Sequence, residues 1–186
     1  MIGIDEVGRG CWAGPLLIVA ARQKTDLPVG LDDSKKLTKK KRELLFVRIK
    51  QSCDLGEGWV TAQEIDAIGL TGAMKLGVDR ALKNIDAKFD EQIIMDGLIN
   101  YCNPKYIDVQ CEAKADGKYP VVSAASVYAK VTRDNFMAQL GEKYKKYEFE
   151  KHVGYGTQLH SGLLKKHGVS DQHRLSFKPI AQRVKM

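Results

Sequence analysis

Two adjacent carboxylates, Asp5 and Glu6, followed at once by Val7 and the run Gly8-Arg9-Gly10, are the part of this chain best equipped for chemistry. Neighbouring acids repel unless a proton or a cation compensates them, and oxygen ligands of this kind suit a hard divalent cation. Glycines on both sides of Arg9 let backbone N–H groups come close to a ligand. Acids for a metal and bare amides for an anionic polymer, so close together, point to a nuclease. Geometry sets a difficulty, because consecutive strand residues face opposite ways and reach one site only at a strand end or a distortion. Gly8 and Gly10 give grounds for such a distortion; without it, one acid serves the site and the other is solvated.

Two further acids stand in suggestive places. Asp96 closes the apolar run 92–95, where open α/β sheets carry their functional groups, although an Asp-Gly pair by itself is more often a turn. Asp116, in Lys114-Ala115-Asp116-Gly117, precedes a long helical stretch and is alone compatible with a turn or a cap. Four carboxylates from three stretches have the chemistry to hold two hard cations. Their spacing leaves open whether they converge.

The elements that must position them follow from pattern. Residues 2–7 and 16–22 predict strands separated by the Gly14-Pro15 turn, with further strands at 58–61, 92–95 and 106–111. Thr38 predicts an N-cap for a helix over 39–51, with Leu44, Leu45, Val47 and Ile49 as its apolar positions. Residues 64–84 predict a helix broken near Gly69 and Thr71. A long helix follows Pro120 to about 144, burying Ala124, Val127, Tyr128 and Val131, and shorter ones fall at 159–167 and 179–184. The sum is an α/β sandwich around one sheet of about five strands, with a helical last third. With 186 residues and no linker or repeat, a single domain over 1–186 is expected.

Composition narrows the partners. The net charge is +7, but residues 1–100 hold 15 basic and 15 acidic side chains, whereas residues 101–186 hold 15 and 8. A basic excess confined to the C-terminal part points to a polyanion. The apolar run 16–21 is too short to span a bilayer, and acids occupy the place where a secretory signal needs basic residues, so a cytoplasmic protein is expected with no membrane partner. Cys11, Cys53, Cys102 and Cys111 show neither CxxC nor a dense spacing and predict reduced, packed thiols. HExxH and GxxxxGK are absent.

Several segments together resemble ribonuclease HII: Gly3-Ile4-Asp5-Glu6-Val7-Gly8-Arg9-Gly10, Asp33-Ser34-Lys35-Lys36-Leu37, Ile94-Met95-Asp96-Gly97, the stretch from Ser123 to Asp134, Gly154-Tyr155-Gly156-Thr157 and His173-Arg174-Leu175-Ser176-Phe177. They occur in the family's order and cover almost the whole chain. The resemblance implies a ribonuclease H-like fold and a metal-dependent endonuclease acting on RNA in a duplex with DNA, including single ribonucleotides embedded in DNA. It places the four acidic metal ligands on Asp5, Glu6, Asp96 and Asp116, for two Mg²⁺ or Mn²⁺ ions about 4 Å apart in a two-metal hydrolysis. It places the glycine-arginine-glycine element on Gly8, Arg9 and Gly10 and the junction-sensing tyrosine on Tyr155. It further implies cleavage 5′ of the ribonucleotide, leaving 3′-hydroxyl and 5′-phosphate ends.

Ser34, Lys35, Lys36, Lys130 and Arg133 are the candidate phosphate contacts, Lys36 foremost by its place in the motif, while Lys39-Lys40-Lys41-Arg42 reads as a solvated helix face. His173 and Arg174 are weaker candidates for shaping the site or holding phosphate. The chain departs from the family pattern at Cys11-Trp12-Ala13, at Asp32 and at Ala115, without losing a presumed ligand. No C-terminal clamp-binding signature is visible, and a monomer is expected. Two other readings compete. A non-catalytic binding module of the same fold should have lost a ligand. A ribonuclease HIII-type enzyme should carry an N-terminal domain, for which four residues before Asp5 leave no room.

Overall fold

The computed structural model describes residues 1–34 and 36–184. Its strands are β1 (Ile2–Val7), β2 (Leu16–Gln23), β3 (Cys53–Val60), β4 (Ile93–Asp96) and β5 (Val109–Glu112). They form one sheet in the order β3-β2-β1-β4-β5, in which β2 is antiparallel to β1 and β3 while β1, β4 and β5 run parallel. The helices are α1 (Lys39–Ser52), α2 (Ala62–Asn84), α3 (Pro120–Lys143), α4 (Phe149–His152), α5 (Gln158–His167) and α6 (Lys178–Val184). Among the described residues no helix is long and apolar enough to cross a membrane.

Alternation along the strands divides the interior into two layers. Ile2 and Ile4 of β1, Leu16, Ile18 and Ala20 of β2, and Ile93 and Met95 of β4 pack with the buried side of α2. Val7, Leu17, Val19 and Ile94 pack with α1 and α3 on the other face. The expected apolar face of α3 is buried at Ala124, Val127, Tyr128 and Val131, along with small residues that bring its backbone close to β1. A Cβ on Gly3 would stand 2.5 Å from the carbonyl carbon of Val121. A third cluster, built on Met137, Tyr147, Phe149, Leu164 and Ile180, packs the C-terminal helices against the end of α3.

The helix starts follow their caps. Thr38 accepts the N–H of Lys41 at 3.3 Å, and Thr61 and Glu64 form a reciprocal capping box. Gly69, at φ 70° and ψ 167°, interrupts α2 where a break was expected. Three expectations need correction. On α1 only Leu45 and Ile49 of the four apolar residues are buried; Leu44 and Val47 are 63% and 57% exposed. Strand β5 begins at Val109, later than residue 106, because the Tyr106 N–H closes a turn on the Asn103 carbonyl and the Ile107 N–H donates to the Phe89 carbonyl in the loop before β4. Strand β3 is twice the length expected, starting at Cys53 and including Gly56 ahead of the expected 58–61; Gly56 and Gly58 both lie under α2, where a Cβ would come within 2.0 Å of the Ala81 carbonyl oxygen and 1.8 Å of the Gly77 carbonyl oxygen. Helix α4, between left-handed Glu148 and Val153, was not anticipated.

Backbone seated on backbone cannot yield as a flexible side chain does, so Gly58→Ala should destabilise by about 3 kcal/mol. The melting temperature should then drop by roughly 6–12 °C. Gly162→Ala on the exposed face of α5, where nothing lies within 4 Å of the added methyl, should leave it unchanged or slightly raised. Calorimetry of the two variants checks the contrast.

Candidate active site

Parallel pairing of β1 with β4 aligns Gly3 with Ile94 and Ile4 with Met95, and one step further along the same register stand Asp5 and Asp96. Both sit on the α3 face, at the carboxyl ends of their strands. The Glu6 N–H donates to Asp5 Oδ1 at 2.7 Å, and Asp96 Oδ1 accepts the N–H of Ala115 at 2.8 Å. That second bond ties β4 to the 3-10 turn Ala115–Gly117 that carries Asp116. The Ser123 hydroxyl donates to the Asp116 carbonyl and fixes the same turn to the first turn of α3. Glu6 alternates to the opposite face from Asp5, yet close to the end of β1 both acids border one cavity, just before the chain turns at Gly8, φ 86°. The Glu6 carboxylate stands 3.6 Å from the Arg9 guanidinium.

That cavity has a volume of about 510 Å³. It is lined by the acids Asp5, Glu6 and Asp96, by Gly8, Arg9 and Gly10, and by Ser34, Ser126 and Lys130, with half-exposed Tyr155 at the rim. Asp116 is 7% exposed and does not border the cavity; it is joined to it through the Asp96–Ala115 bond. Burial, then the charge of Glu6, and more weakly that of Asp96, push the Asp5 carboxyl well above the ordinary range, while the Ser126 hydroxyl and the Glu6 N–H oppose the shift. Among the described residues no three acids, imidazoles or thiolates stand as a ready-made cation cage. The donor set nevertheless fits a hard divalent cation. The acidic donors at the cavity are all carboxylate oxygens, with no imidazole or thiolate, and burial together with the charge of Glu6 disfavours the ionised form of Asp5.

The glycine turn is braced from beneath by two arginines. Arg133, expected at a phosphate, is fully buried: its Nε donates to the Pro15 carbonyl at 2.8 Å, Nη1 to Val153 at 2.8 Å and Nη2 to Ala13 at 3.4 Å. This corrects the expectation of a surface cation, since every nitrogen of the head is engaged with backbone. A Cβ on Gly8 would lie 2.3 Å from Arg133 Nε, so the turn and the guanidinium are in contact. Arg174, also fully buried, donates Nη1 to the Arg9 carbonyl at 2.9 Å and two other N–H groups to the Gly14 carbonyl. Burial pulls its pKa down to about 10. Arg174 therefore shapes the turn and does not reach phosphate. Helical spacing held the signal for Arg133, which falls four and seven residues after buried Ala129 and Ser126.

Tyr155 is 40% exposed on a loop that starts with left-handed Val153 and Gly154. The Gly154 carbonyl accepts the N–H of Trp12 at 2.8 Å and of Ala13 at 3.3 Å, so this loop and the glycine turn are pinned to one another. Burial, then the neighbouring Cys11 thiol, raises the Tyr155 phenol. Beneath the loop His152, His160 and His173 form a buried cluster that the sequence did not disclose, because its members lie on three separate segments. Of the remaining phosphate candidates, Ser34 accepts the Ser126 hydroxyl at 3.0 Å and Lys130 pairs with Asp134 at 2.8 Å, both on the cavity wall. Lys36 is exposed, does not border the cavity and pairs with Asp32 at 3.0 Å, which lowers that carboxyl. Lys35 lies outside the described residues. Lys39, Lys40 and Lys41 are solvated as expected, whereas Arg42 donates to the Ser34 and Leu37 carbonyls and holds the loop before α1.

Burial depresses His160 and His173 to about 4 and lowers His152 as well. Unfolded imidazoles take up protons near pH 6.5, so these groups stabilise the fold fully above that pH and lose their contribution as pH falls towards about 4. Asp5, whose pKa is raised, pulls in the opposite sense. The melting temperature of the protein minus that of His173→Gln, measured from pH 7 to pH 5, should therefore shrink on acidification by roughly 5 °C. A constant difference would mean that the cluster is not held neutral by the fold.

A family model described as Ribonuclease HII matches residues 2–180. The ribonuclease HII of Aliarcobacter butzleri (strain RM4018) is 43% identical over 178 residues, covering 96% of this chain and 90% of that relative. The ribonuclease HII of Geobacillus sp. (strain WCH70) is 41% identical over 187 residues, covering 99% of this chain and 66% of that one. In three dimensions the chain matches the ribonuclease HII of Archaeoglobus fulgidus, solved in complex with PCNA, with a TM-score of 0.80 and 27% identity, over 95% of this chain and 94% of that one. The sheet and its flanking helices are thus a ribonuclease H-like fold. Agreement of sequence and fold along nearly the whole length leaves one conclusion: the chain belongs to the ribonuclease HII family of metal-dependent endoribonucleases.

Proposed function

We propose that this protein cuts duplex DNA on the 5′ side of embedded single ribonucleotides, as well as the RNA strand of RNA–DNA hybrids, leaving 3′-hydroxyl and 5′-phosphate ends. In this proposal residues 1–186 act as one catalytic domain, as a monomer in the cytoplasm, with a C-terminal helical portion helping to bind the duplex. The observation that carries it is the single cavity in which three carboxylates face a backbone-lined turn and an aromatic rim.

Asp5, Glu6, Asp96 and Asp116 would hold two divalent cations, Mg²⁺ or Mn²⁺. The chemistry such ions supply when bound is Lewis-acid polarisation of a phosphate and a lowered pKa for water. The protein's own part is to supply the negative wall and the substrate fit. Asp5, buried and beside Glu6, would be relieved of its suppressed ionisation by a cation and is the natural residue to hold one. Gly8, Arg9 and Gly10 offer backbone donors and acceptors without side-chain bulk, which suits the sensing of one 2′-hydroxyl, the atom that separates RNA from DNA. Tyr155 at the rim suits the next sugar, where a deoxyribose fits closest to the ring. Ser34 and Lys130 on the wall suit phosphate contacts that place the duplex without reading sequence. Lys36 serves this purpose only after leaving Asp32.

Asp96→Asn keeps a carbonyl oxygen for the Ala115 N–H but removes the charge. It should cut a duplex carrying one ribonucleotide roughly a hundredfold more slowly or worse, with the melting temperature preserved. The same gel run with Mg²⁺, Mn²⁺ or chelator should show products only with metal; cutting by the variant at close to the unaltered rate, or any cutting in chelator, rules out this assignment, and binding without cleavage by the unaltered protein favours a binding module. Tyr155→Ala should lose about tenfold more on the single-ribonucleotide duplex than on a uniform hybrid, the scale of one aromatic stacking contact. Equal losses on both substrates would remove Tyr155 from junction sensing.

A further inference from the structure

The buried histidines form a directed chain of hydrogen bonds whose tautomers the backbone dictates. The Ser170 N–H donates to His173 Nδ1 at 2.9 Å, so the proton of a neutral His173 lies on Nε2. His173 Nε2 stands 3.0 Å from His160 Nε2 and must donate to it. His160 therefore carries its proton on Nδ1, and that atom lies 2.9 Å from the carbonyl oxygen of Tyr155. His152, stacked on His160 with ring centres 4.1 Å apart, accepts the Gly154 N–H on Nδ1 at 3.2 Å and donates Nε2 to the Tyr147 carbonyl at 2.8 Å. Every ring nitrogen of the three is used. One assignment with all three rings neutral satisfies the whole set, and their lowered pKa values agree with it.

The chain runs between the two elements that face substrate. His173 forms an isolated β-bridge with Ala13, at the end of the segment that continues the glycine turn. At the other end His160 holds the Tyr155 loop twice, by its ring to the Tyr155 carbonyl and by its backbone N–H to the Thr157 hydroxyl. Two residues where this chain departs from the family pattern close the loop from the opposite side. Cys11 Sγ donates to the Val153 carbonyl at 3.5 Å, and a Cβ on Gly156 would meet the Trp12 ring at 2.2 Å. The Trp12 ring centre is 5.6 Å from that of His160, so the loop is gripped between an imidazole and an indole that touch each other. Arg133 Nη1 donates to the Val153 carbonyl at the start of the same loop. Apolar residues would fill the same space without needing partners, whereas buried imidazoles are tolerated only when fully bonded. What the imidazoles add over apolar packing is direction.

We propose that His160 and His173 are positioning residues for junction recognition: acting through the Tyr155 carbonyl, they set the distance between the rim aromatic and the glycine turn. The inference rests on the reading of Tyr155 as the residue that faces the sugar beyond the ribonucleotide. Comparing two adjacent sugars needs a fixed spacing between the groups that touch them, and a misplacement of about 1 Å is costly.

The test compares His160→Leu, which lacks the donor, with His160→Asn, which keeps an N–H near the position of Nδ1, each alone and combined with Tyr155→Ala. The readouts are kcat/KM on the single-ribonucleotide duplex and on the uniform hybrid, together with amide exchange of residues 153–157. We expect His160→Leu to lower the ratio of the two kcat/KM values about tenfold and to speed exchange. His160→Asn should restore most of both, and His160→Leu should cost little more in the ratio once Tyr155 is alanine. A uniform loss on both substrates, no rescue by asparagine, or a full additional loss in the Tyr155→Ala background would overturn the proposal. Should Tyr155→Ala itself prove indifferent to substrate, the reading of Tyr155 fails separately; unchanged exchange in His160→Leu then overturns positioning, and faster exchange rescued by asparagine upholds it. If His160→Leu does not fold, His173→Gln, which keeps a donor towards His160, is compared with His173→Met by the same ratio and exchange.

Discussion

Mutual repulsion among Asp5, Glu6 and Asp96 is the constraint around which the active end of the sheet is arranged. Parallel pairing of β1 and β4 forces the first and third of these together, and the second borders the same cavity near the end of β1. Nothing in strand geometry favours such crowding. It is tolerated because the rest of the fold is dense behind it: two apolar layers on either side of β1, with α3 drawn in until its first turn touches Gly3. Burial, and then the charge of Glu6, suppress the ionisation of Asp5, which is the condition that a bound divalent cation would relieve.

Opposite the acids the same end is built on donors that point at backbone. Arg133 and Arg174 use their guanidinium forks to gather the carbonyls of Arg9, Ala13, Gly14, Pro15 and Val153. A turn that must bare its amides to a ligand has few side-chain contacts of its own to define it. Here its shape is imposed from below by groups whose planar geometry leaves little slack. The histidine chain extends that principle to the neighbouring loop. Rigid support for irregular backbone is what lets loops carry recognition on a stable scaffold.

Much of this was legible in the residues, and the gaps have physical causes. The pattern of apolar runs located all five strands and the three longest helices, because burial on one face or both leaves a direct trace. Gly56 weakened that trace in the first half of β3, where α2 leaves no room for a side chain. Leu44 and Val47 looked like core but face solvent, a case of tertiary context overriding hydrophobicity. The acids Asp5, Glu6 and Asp96 were named from sequence and do share a cavity; Asp116 was named with them and is coupled to it through a backbone bond. Arg133 went astray because charge suggested a surface cation while helical period placed it inside. The histidine cluster had no local signature, as its members meet only when α4, α5 and the segment around residue 173 pack together.

One bond of the acidic wall reaches further than its size suggests. With Oδ1 committed to the Ala115 amide, the two oxygens of Asp96 are no longer equivalent. Oδ1 has one of its two acceptor sites occupied, so Oδ2 is the less encumbered oxygen. The carboxylate has thereby acquired a polarity of its own, one end serving the polypeptide and the other the cavity. It is also anchored to the peptide next to Asp116, so the third and fourth acids shift together or not at all.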